Sequence, residues 1–283
     1  MVTKNTTYAS DTSFRLGATS FVYPGDWRFN VERLAGRVGD IELLFFEAAG
    51  MPTPQEFAHL ASLASAGHSY TVHTPLSASL ASTDEARRLR GIEEVVDVIQ
   101  RTAGLDPHAW ILHVYLGDSE GDTNPEGLSE ADLVAWRARA TRALAEIAAR
   151  TGENQRLCVE SLDYDYRLIA PVIEALDLGV AWDIGHDLRD GRTSEFMLTT
   201  LLPRLKVVQW HGTDPDDRDH RSLRFVPRAD ALAFLQALLD CNFDGVVTLE
   251  VFREADFEES LTIASELVAK ITANARTRES RDA

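Results

Sequence analysis

Eight short runs of aliphatic, β-branched and aromatic residues recur along the chain, each followed by a polar or helix-patterned stretch. No other feature constrains the fold as tightly. The runs are RLGATSF from Arg15, DIELLFFE from Asp40, YTVHTPL from Tyr70, AWILHVYL from Ala109, RLCVESLD from Arg156, LGVAWDIGH from Leu178, LKVVQWHG from Leu205 and GVVTLEVF from Gly245. Their near-continuous apolarity predicts strands buried on both faces, as in parallel sheets. Between them lie helical patterns. Residues 54–66 place Phe57, Leu60 and Ala64 on one face, and residues 82–103 repeat Leu89, Ile92, Val95, Val96 and Ile99 at helical spacing. Residues 129–150 do the same with Leu133, Trp136, Ala140, Leu144 and Ile147, and 228–239 and 255–271 are similar. Ser-Thr-Asp-Glu at 82–85 and Ser-Glu-Ala-Asp at 129–132 have the composition of N-terminal caps. Strands alternating with helices make a parallel sheet covered by its crossovers. Eight such units in 283 residues predict one closed (β/α)8 barrel. An open doubly wound sheet is the alternative, but no GxGxxG follows the first strand. The barrel is expected over residues 15–273, with flexible tails at 1–14 and 274–283.

Charge narrows the partners. The chain holds 28 Lys plus Arg against 45 Asp plus Glu, a formal net charge of −17. A non-specific nucleic-acid binder draws its affinity from Lys and Arg displacing counterions, so nucleic acid is excluded as a bulk partner. An anionic membrane surface is disfavoured for the same reason, and no run approaches the ~18 apolar residues of a membrane span. The polar N-terminus has no apolar core of a signal peptide. Cys158 and Cys241 lack CxxC spacing and make neither a disulfide framework nor a thiolate zinc site. A cytoplasmic protein acting on a small molecule is expected, with oligomeric state left open. If that molecule is a phosphate ester, a local cation must offset the overall field.

In such barrels chemistry sits where strands end. The strand ends read, in order, Glu47, His73, His113, Glu160, Asp183, His186, His211 and Glu250, with Asp219 and His220 just past the seventh. Five of the eight histidines fall at these positions, while His59, His68 and His108 do not. A lone strand-end histidine is more often a hydrogen-bonded rim residue. Five histidines and several carboxylates at one mouth do not make a packed core, because buried carboxylates need paired charge or a metal. Mixed His/Asp/Glu ligation suits zinc, manganese or iron. One to three divalent ions per chain are expected.

The segments GATSFVYP, ELLFFE, YTVHTPL, DIGH and HG…DH (His211, Gly212, Asp219, His220) resemble the cobamide-remodelling phosphodiesterases. That group lies within the xylose-isomerase-like TIM-barrel superfamily, beside the AP endonucleases and ketose epimerases. The similarity spans roughly Arg15 to Phe252. The likeness to the AP endonucleases implies a three-metal centre. His73 and His113 would hold one ion, bridged by Glu160. Glu160, Asp183, His211 and Glu250 would hold a second, and His186, Asp219 and His220 a third. One departure is visible: Asp219 and His220 are adjacent, where the endonuclease pattern sets Asp and His two apart. Ions so held lower the pKa of a bound water from 15.7 towards ~7 and neutralise charge on a phosphoryl group.

The resemblance implies hydrolysis of the nucleotide-loop phosphodiester of a cobamide, releasing a cobinamide-type corrinoid, with Glu160 and Glu250 as catalytic carboxylates. Tyr23 and Trp27 in the loop after the first strand, and Arg221 after the seventh, are candidate substrate contacts; ordinary packing of the rim loop and pairing of Arg221 with Asp214, Asp216 or Asp217 are the competing readings. The loop from Leu116 to Ser129 is long for a strand-to-helix connection and has the size of a lid or binding loop, with a solvated insertion as the equal alternative. The alternative is a single-metal sugar isomerase or epimerase using Glu160, Asp183, His211 and Glu250, which does not need His73 and His113. An abasic-site endonuclease is disfavoured by the acidic charge. A corrinoid- or metal-binding protein without catalysis is disfavoured by the intact ligand set.

Overall fold

The computed structural model describes residues 12–44, 50–65, 67–119, 121–123, 127–192 and 195–282. Eight strands close on themselves in sequence order, every pair parallel. They are β1 (Arg15–Thr19), β2 (Asp40–Leu44), β3 (Ser69–His73), β4 (Ala109–Leu112), β5 (Leu157–Glu160), β6 (Gly179–Asp183), β7 (Leu205–Trp210) and β8 (Val246–Leu249). Each coincides with one of the eight apolar runs, and all but the first residue of β1 and β3 and Lys206 of β7 are buried. The outer layer holds α1 (Trp27–Leu34), α2 (Pro54–Ser65), α3 (Glu85–Thr102), α4 (Glu130–Thr151), α5 (Ala170–Leu176), α6 (Ile184–Arg189), α7 (Arg228–Asp240) and α8 (Glu254–Asp282).

Local chemistry sets the helix ends. The Asp84 carboxylate accepts from the backbone N–H of Ala86 and Arg87 and starts α3. Ser129 and Asp132 form a reciprocal capping box that starts α4, and Gly152 ends it in the left-handed region at φ 74°. On α3 the buried stripe is Ile92, Val95, Val96 and Ile99, while Leu89, expected in it, is 47% exposed. The three short helices α1, α5 and α6 carry too few turns for a periodic pattern to register.

Two expected tails are partly structured. Phe14 packs in the core, and Ser13 Oγ donates to the Phe243 carbonyl at 2.6 Å, so the ordered chain starts before Arg15. At the other end α8 continues to Asp282, through the segment expected to fray. Among the described residues no helix is long and apolar enough to cross a membrane.

The barrel interior is divided. Ala109, Ile111, Cys158, Ala181 and Val207 form a small apolar plug of their own. Burial pushes the Cys158 thiol up to about 12, so it packs as an inert hydrophobe, and neither cysteine is in a disulfide. Above the plug, towards the C-terminal ends of the strands, the inward side chains become ionisable.

Candidate metal centre

His73 and Glu160 close β3 and β5, while His113, His211 and Glu250 each follow the last residue of β4, β7 and β8. Asp183 closes β6 and caps α6, its Oδ1 accepting from the His186 N–H at 3.0 Å. That cap places His186 one turn along, over the mouth. His220 lies in the β7–α7 loop with φ 49°, a left-handed conformation uncommon for histidine.

These side chains form overlapping groups whose ligand atoms lie within 4.8 Å of one another: His73, His113 and Glu160; Glu160, Asp183 and His186; Asp183, His211 and Glu250; His186, His211 and His220. Glu160 Oε2 is the hub of the first group, 3.2 Å from His73 Nε2 and 2.9 Å from His113 Nε2. The far nitrogens are anchored. His73 Nδ1 donates to the Thr74 carbonyl at 2.9 Å. His113 Nδ1 donates to the Tyr115 hydroxyl at 2.6 Å, since that hydroxyl itself donates to the Leu76 carbonyl at 3.1 Å. Anchoring one ring nitrogen to present the other is the usual arrangement of ligating imidazoles. In the third group His211 Nε2 stands 3.1 and 3.2 Å from the two Asp183 oxygens.

Gly185 explains the second half of the DIGH segment. A Cβ there would lie 2.3 Å from Cε1 and Nε2 of His211, so only glycine lets that ring sit against α6. Trp182 Nε1 and Arg192 Nε bond the two Asp187 oxygens at 2.7 and 2.6 Å and hold the same helix from its far side.

The electrostatics follow from burial and pairing. Burial alone would raise Glu160, but the imidazoles of His113 and His73 bring it below the ordinary carboxylate range. Burial alone would lower His73, and its bond to Glu160 lifts it instead to about 9. Asp183 is likewise pulled down, against its own burial, by His211 and His186. His220 falls to about 4 through burial and the neighbouring His211. Glu250 goes the other way: buried, and facing Asp183, Glu160 and Glu42, it rises well above the ordinary range.

The residues fit divalent cations. Glu42, Glu160, Asp183 and Glu250 are all buried, and among the described residues no Lys or Arg forms an ion pair with any of them. Glu250 Oε2 and both ring nitrogens of His186 are buried without a hydrogen-bond partner. Carboxylates gathered with only imidazoles as counter-charges, beside orphaned imidazole nitrogens, are the donor set of a borderline metal ion.

The structure thus brings together eight of the nine residues expected as ligands. Asp219 is the exception: its Oδ2 pairs with Arg189 at 2.7 Å and stands 3.7 Å from His186 Nε2, so His211 takes its place beside His186 and His220. The expected substrate contacts are engaged elsewhere. Tyr23 is buried with its ring edge-on to Phe257 and its hydroxyl bonded to Arg37 and Glu258. Trp27 is buried and donates to the Gly50 carbonyl at 2.8 Å. Arg221 is clamped between Asp214 at 2.6 Å and Asp256 at 2.9 Å. In the absence of substrate these three side chains make packing and ion-pair contacts. The described part of the loop after β4 lines a cavity of about 450 Å³ with Trp136 and Arg139.

Glu47 lies outside the described residues. β2 delivers two fully buried carboxylates, of which Asp40 is bonded by Ser69 and Glu42, raised to about 8 by burial, stands beside His73 and Glu160. The signal for Glu42 is present in the sequence. In DIELLFFE, Glu42 shares the strand face of Asp40, a charged pair at period two within an apolar run.

The family described as xylose isomerase-like TIM barrel matches residues 40–273. Among solved structures the chain is similar to a D-tagatose 3-epimerase-like protein, at 18% identity and TM-score 0.73, over 93% of this chain and 100% of that one. It is also similar to endonuclease IV from Thermus thermophilus, at 16% identity and TM-score 0.66, over 90% and 99% of the two chains. A third similar structure is the IOLI protein with a binding zinc atom, at 13% identity and TM-score 0.69, over 92% and 99%. At these identities the likeness speaks for the fold. No curated protein sequence matches the chain. With a closed eight-stranded barrel and a family match over most of its length, the chain belongs to the xylose isomerase-like TIM-barrel family.

Proposed function

We propose that the chain is a metal-dependent phosphodiesterase that hydrolyses the nucleotide-loop phosphodiester of cobamides, a cytoplasmic step of corrinoid remodelling. One observation carries the reading. The His73–His113–Glu160 group shares Glu160 with the group around Asp183, so two cation positions are contiguous. Transfer at phosphorus uses adjacent cations on the attacking and leaving oxygens, whereas moving a proton beside a carbonyl needs one. The motifs YTVHTPL and HG…DH add the resemblance to cobamide-remodelling enzymes.

Bound divalent ions supply Lewis acidity and an ionisable water. The chain supplies the geometry. His73, His113 and Glu160 would hold one ion, and Glu160, Asp183, His211 and Glu250 a second. His186 and His220 stand over the same mouth for a third. Thr74 and Tyr115 fix which nitrogen each imidazole presents. Glu160 and Glu250 are the carboxylates placed to accept or hold a proton. The net charge of −17 favours a small substrate recognised at the centre over a nucleic-acid polyanion.

A second reading has its own support. The quartet Glu160, Asp183, His211 and Glu250 would serve a one-metal sugar epimerase, and the solved structures of similar fold include a D-tagatose 3-epimerase-like protein. One experiment separates the two. Protein loaded with manganese, zinc or iron is incubated with an adenosylated cobamide, and products are followed by chromatography and absorbance. The phosphodiesterase yields a base-off corrinoid without its nucleotide. Intact cobamide, together with interconversion of a ketose epimer pair, would reverse the assignment.

A further inference from the structure

Beneath the metal centre the barrel interior holds a second polar layer that ligation does not use. Thr71, Gln209 and Thr248 each stand two residues before a candidate ligand, namely His73, His211 and Glu250. Side chains two apart on a strand share a face, so these three point into the barrel roughly 7 Å below the ligands. Strand register joins them. Glu42 pairs with Thr71, and Gln209 with Thr248. All four residues are fully buried.

Their polar atoms lack hydrogen bonds of full geometry, although the Thr248 hydroxyl lies near enough to the Glu42 carboxyl, and the Thr71 hydroxyl to that of Asp40, to draw each down. Both Glu42 oxygens, Thr71 Oγ1, Gln209 Oε1 and Thr248 Oγ1 make no full hydrogen bond. Five bare groups in one layer would consume much of a domain's net stability, so something must satisfy them. A chain of this length holds about ten buried waters, and such waters collect where several buried polar groups face one another. Gln209 links the layer upwards, its Nε2 donating to Glu250 Oε1 at 3.0 Å. Among the described residues no protein group fixes the other end of that amide. With a donor on Oε1 the amide keeps its N–H towards Glu250. Without one it can flip and set its carbonyl against the carboxylate.

We propose that Glu42, Thr71, Gln209 and Thr248 enclose ordered water beneath the metal centre, and that this water, acting through Gln209, holds Glu250 in position. Glu42 is then a positioning residue. The role is independent of the reaction the centre performs, because it is read from water and metal binding.

High-resolution crystallography of the manganese-loaded protein is expected to show water within about 3.2 Å of both Glu42 and Gln209 Oε1. Glu42→Gln, which still bonds water, is expected to keep manganese affinity near wild type in calorimetry. Glu42→Leu, which cannot, is expected to weaken binding at one site by about 10- to 100-fold, the usual effect of removing support behind a ligand. Thr248→Val removes a single hydroxyl at constant shape, and its weaker binding decides the matter if Glu42→Leu does not fold. Three results would overturn the inference. One is a dry layer in which Glu42 bonds Thr71 or Thr248 directly. Another is a cation there, with oxygen contacts of about 2.3–2.6 Å. The third is wild-type manganese binding in the folded Glu42→Leu or Thr248→Val protein.

Discussion

Gly185→Ala tests whether the centre depends on the close approach of α6 to β7. The added methyl carbon would stand 2.3 Å from Cε1 and Nε2 of His211 and 2.5 Å from Cδ2. Carbon atoms are comfortable at about 3.5 Å, so the ring must retreat by roughly 1 Å. It has little room: His211 is fully buried, and its Nδ1 is pinned either by donating to the Gly212 carbonyl at 3.3 Å or, in the other tautomer, by accepting from the His220 N–H at 3.1 Å. Metal–ligand distances tolerate about 0.2 Å. A retreat of this size therefore removes His211 from any shared ion, while overpacking costs only about 1–3 kcal/mol. At a few degrees per kcal/mol for a chain of this size, the melting temperature should fall by a few to about 10 °C. Elemental analysis after dialysis should show one ion fewer per chain than wild type, in a protein that still melts cooperatively. Gly104→Ala, whose Cβ meets nothing within 4 Å, is the control and should match wild type in both measurements. Full metal content in Gly185→Ala would refute the reasoning, because the ring would then have found another way to ligate.

Further outcomes are expected. His113→Ala should lower cobamide turnover strongly while lowering the melting temperature by no more than stripping the metal does, and a collapsed fold would instead mark the residue as structural. Tyr115→Phe, which removes the acceptor of His113 Nδ1, should weaken metal binding by about 10- to 100-fold in calorimetry. Arg221→Met breaks the bridge between Asp214 and Asp256 and should lower the melting temperature without changing KM; a raised KM at unchanged melting would restore Arg221 as a substrate contact. Stripping metal with a chelator should lower the melting temperature on the order of 10 °C, since an ion present at a thousand times its Kd adds about 4 kcal/mol. Re-addition of manganese should recover it, and an unchanged melting curve would argue against ligation in the barrel.

Much of the architecture is legible because buried parallel strands must be apolar along their whole length. Any ionisable residue closing such a run stands out, which is why Glu160 in RLCVESLD and Asp183 in LGVAWDIGH can be picked from the sequence. Glu42 is missed because attention to strand ends favours Glu47, although its face of β2 is readable at period two. Tyr23, Trp27 and Arg221 leave two readings open for a different reason. An aromatic or a guanidinium near a strand end has the same local signature whether it faces a ligand or a neighbouring helix. Which it faces depends on Glu258, Gly50 or Asp256, residues between 23 and 235 positions away.

The sequence alone therefore determined the eight-fold alternation, the closed barrel and the inventory of imidazoles and carboxylates at its mouth, because hydrophobic periodicity and residue chemistry are local properties. Only the tertiary structure decided that Glu160 shares its second group with Asp183 and His186, that Asp219 turns to Arg189 while His211 joins His186 and His220, and that Gly185 makes room for a ring 26 positions on. Those are distances between strands, fixed by barrel closure and side-chain packing, and they have no counterpart in the order of residues along the chain.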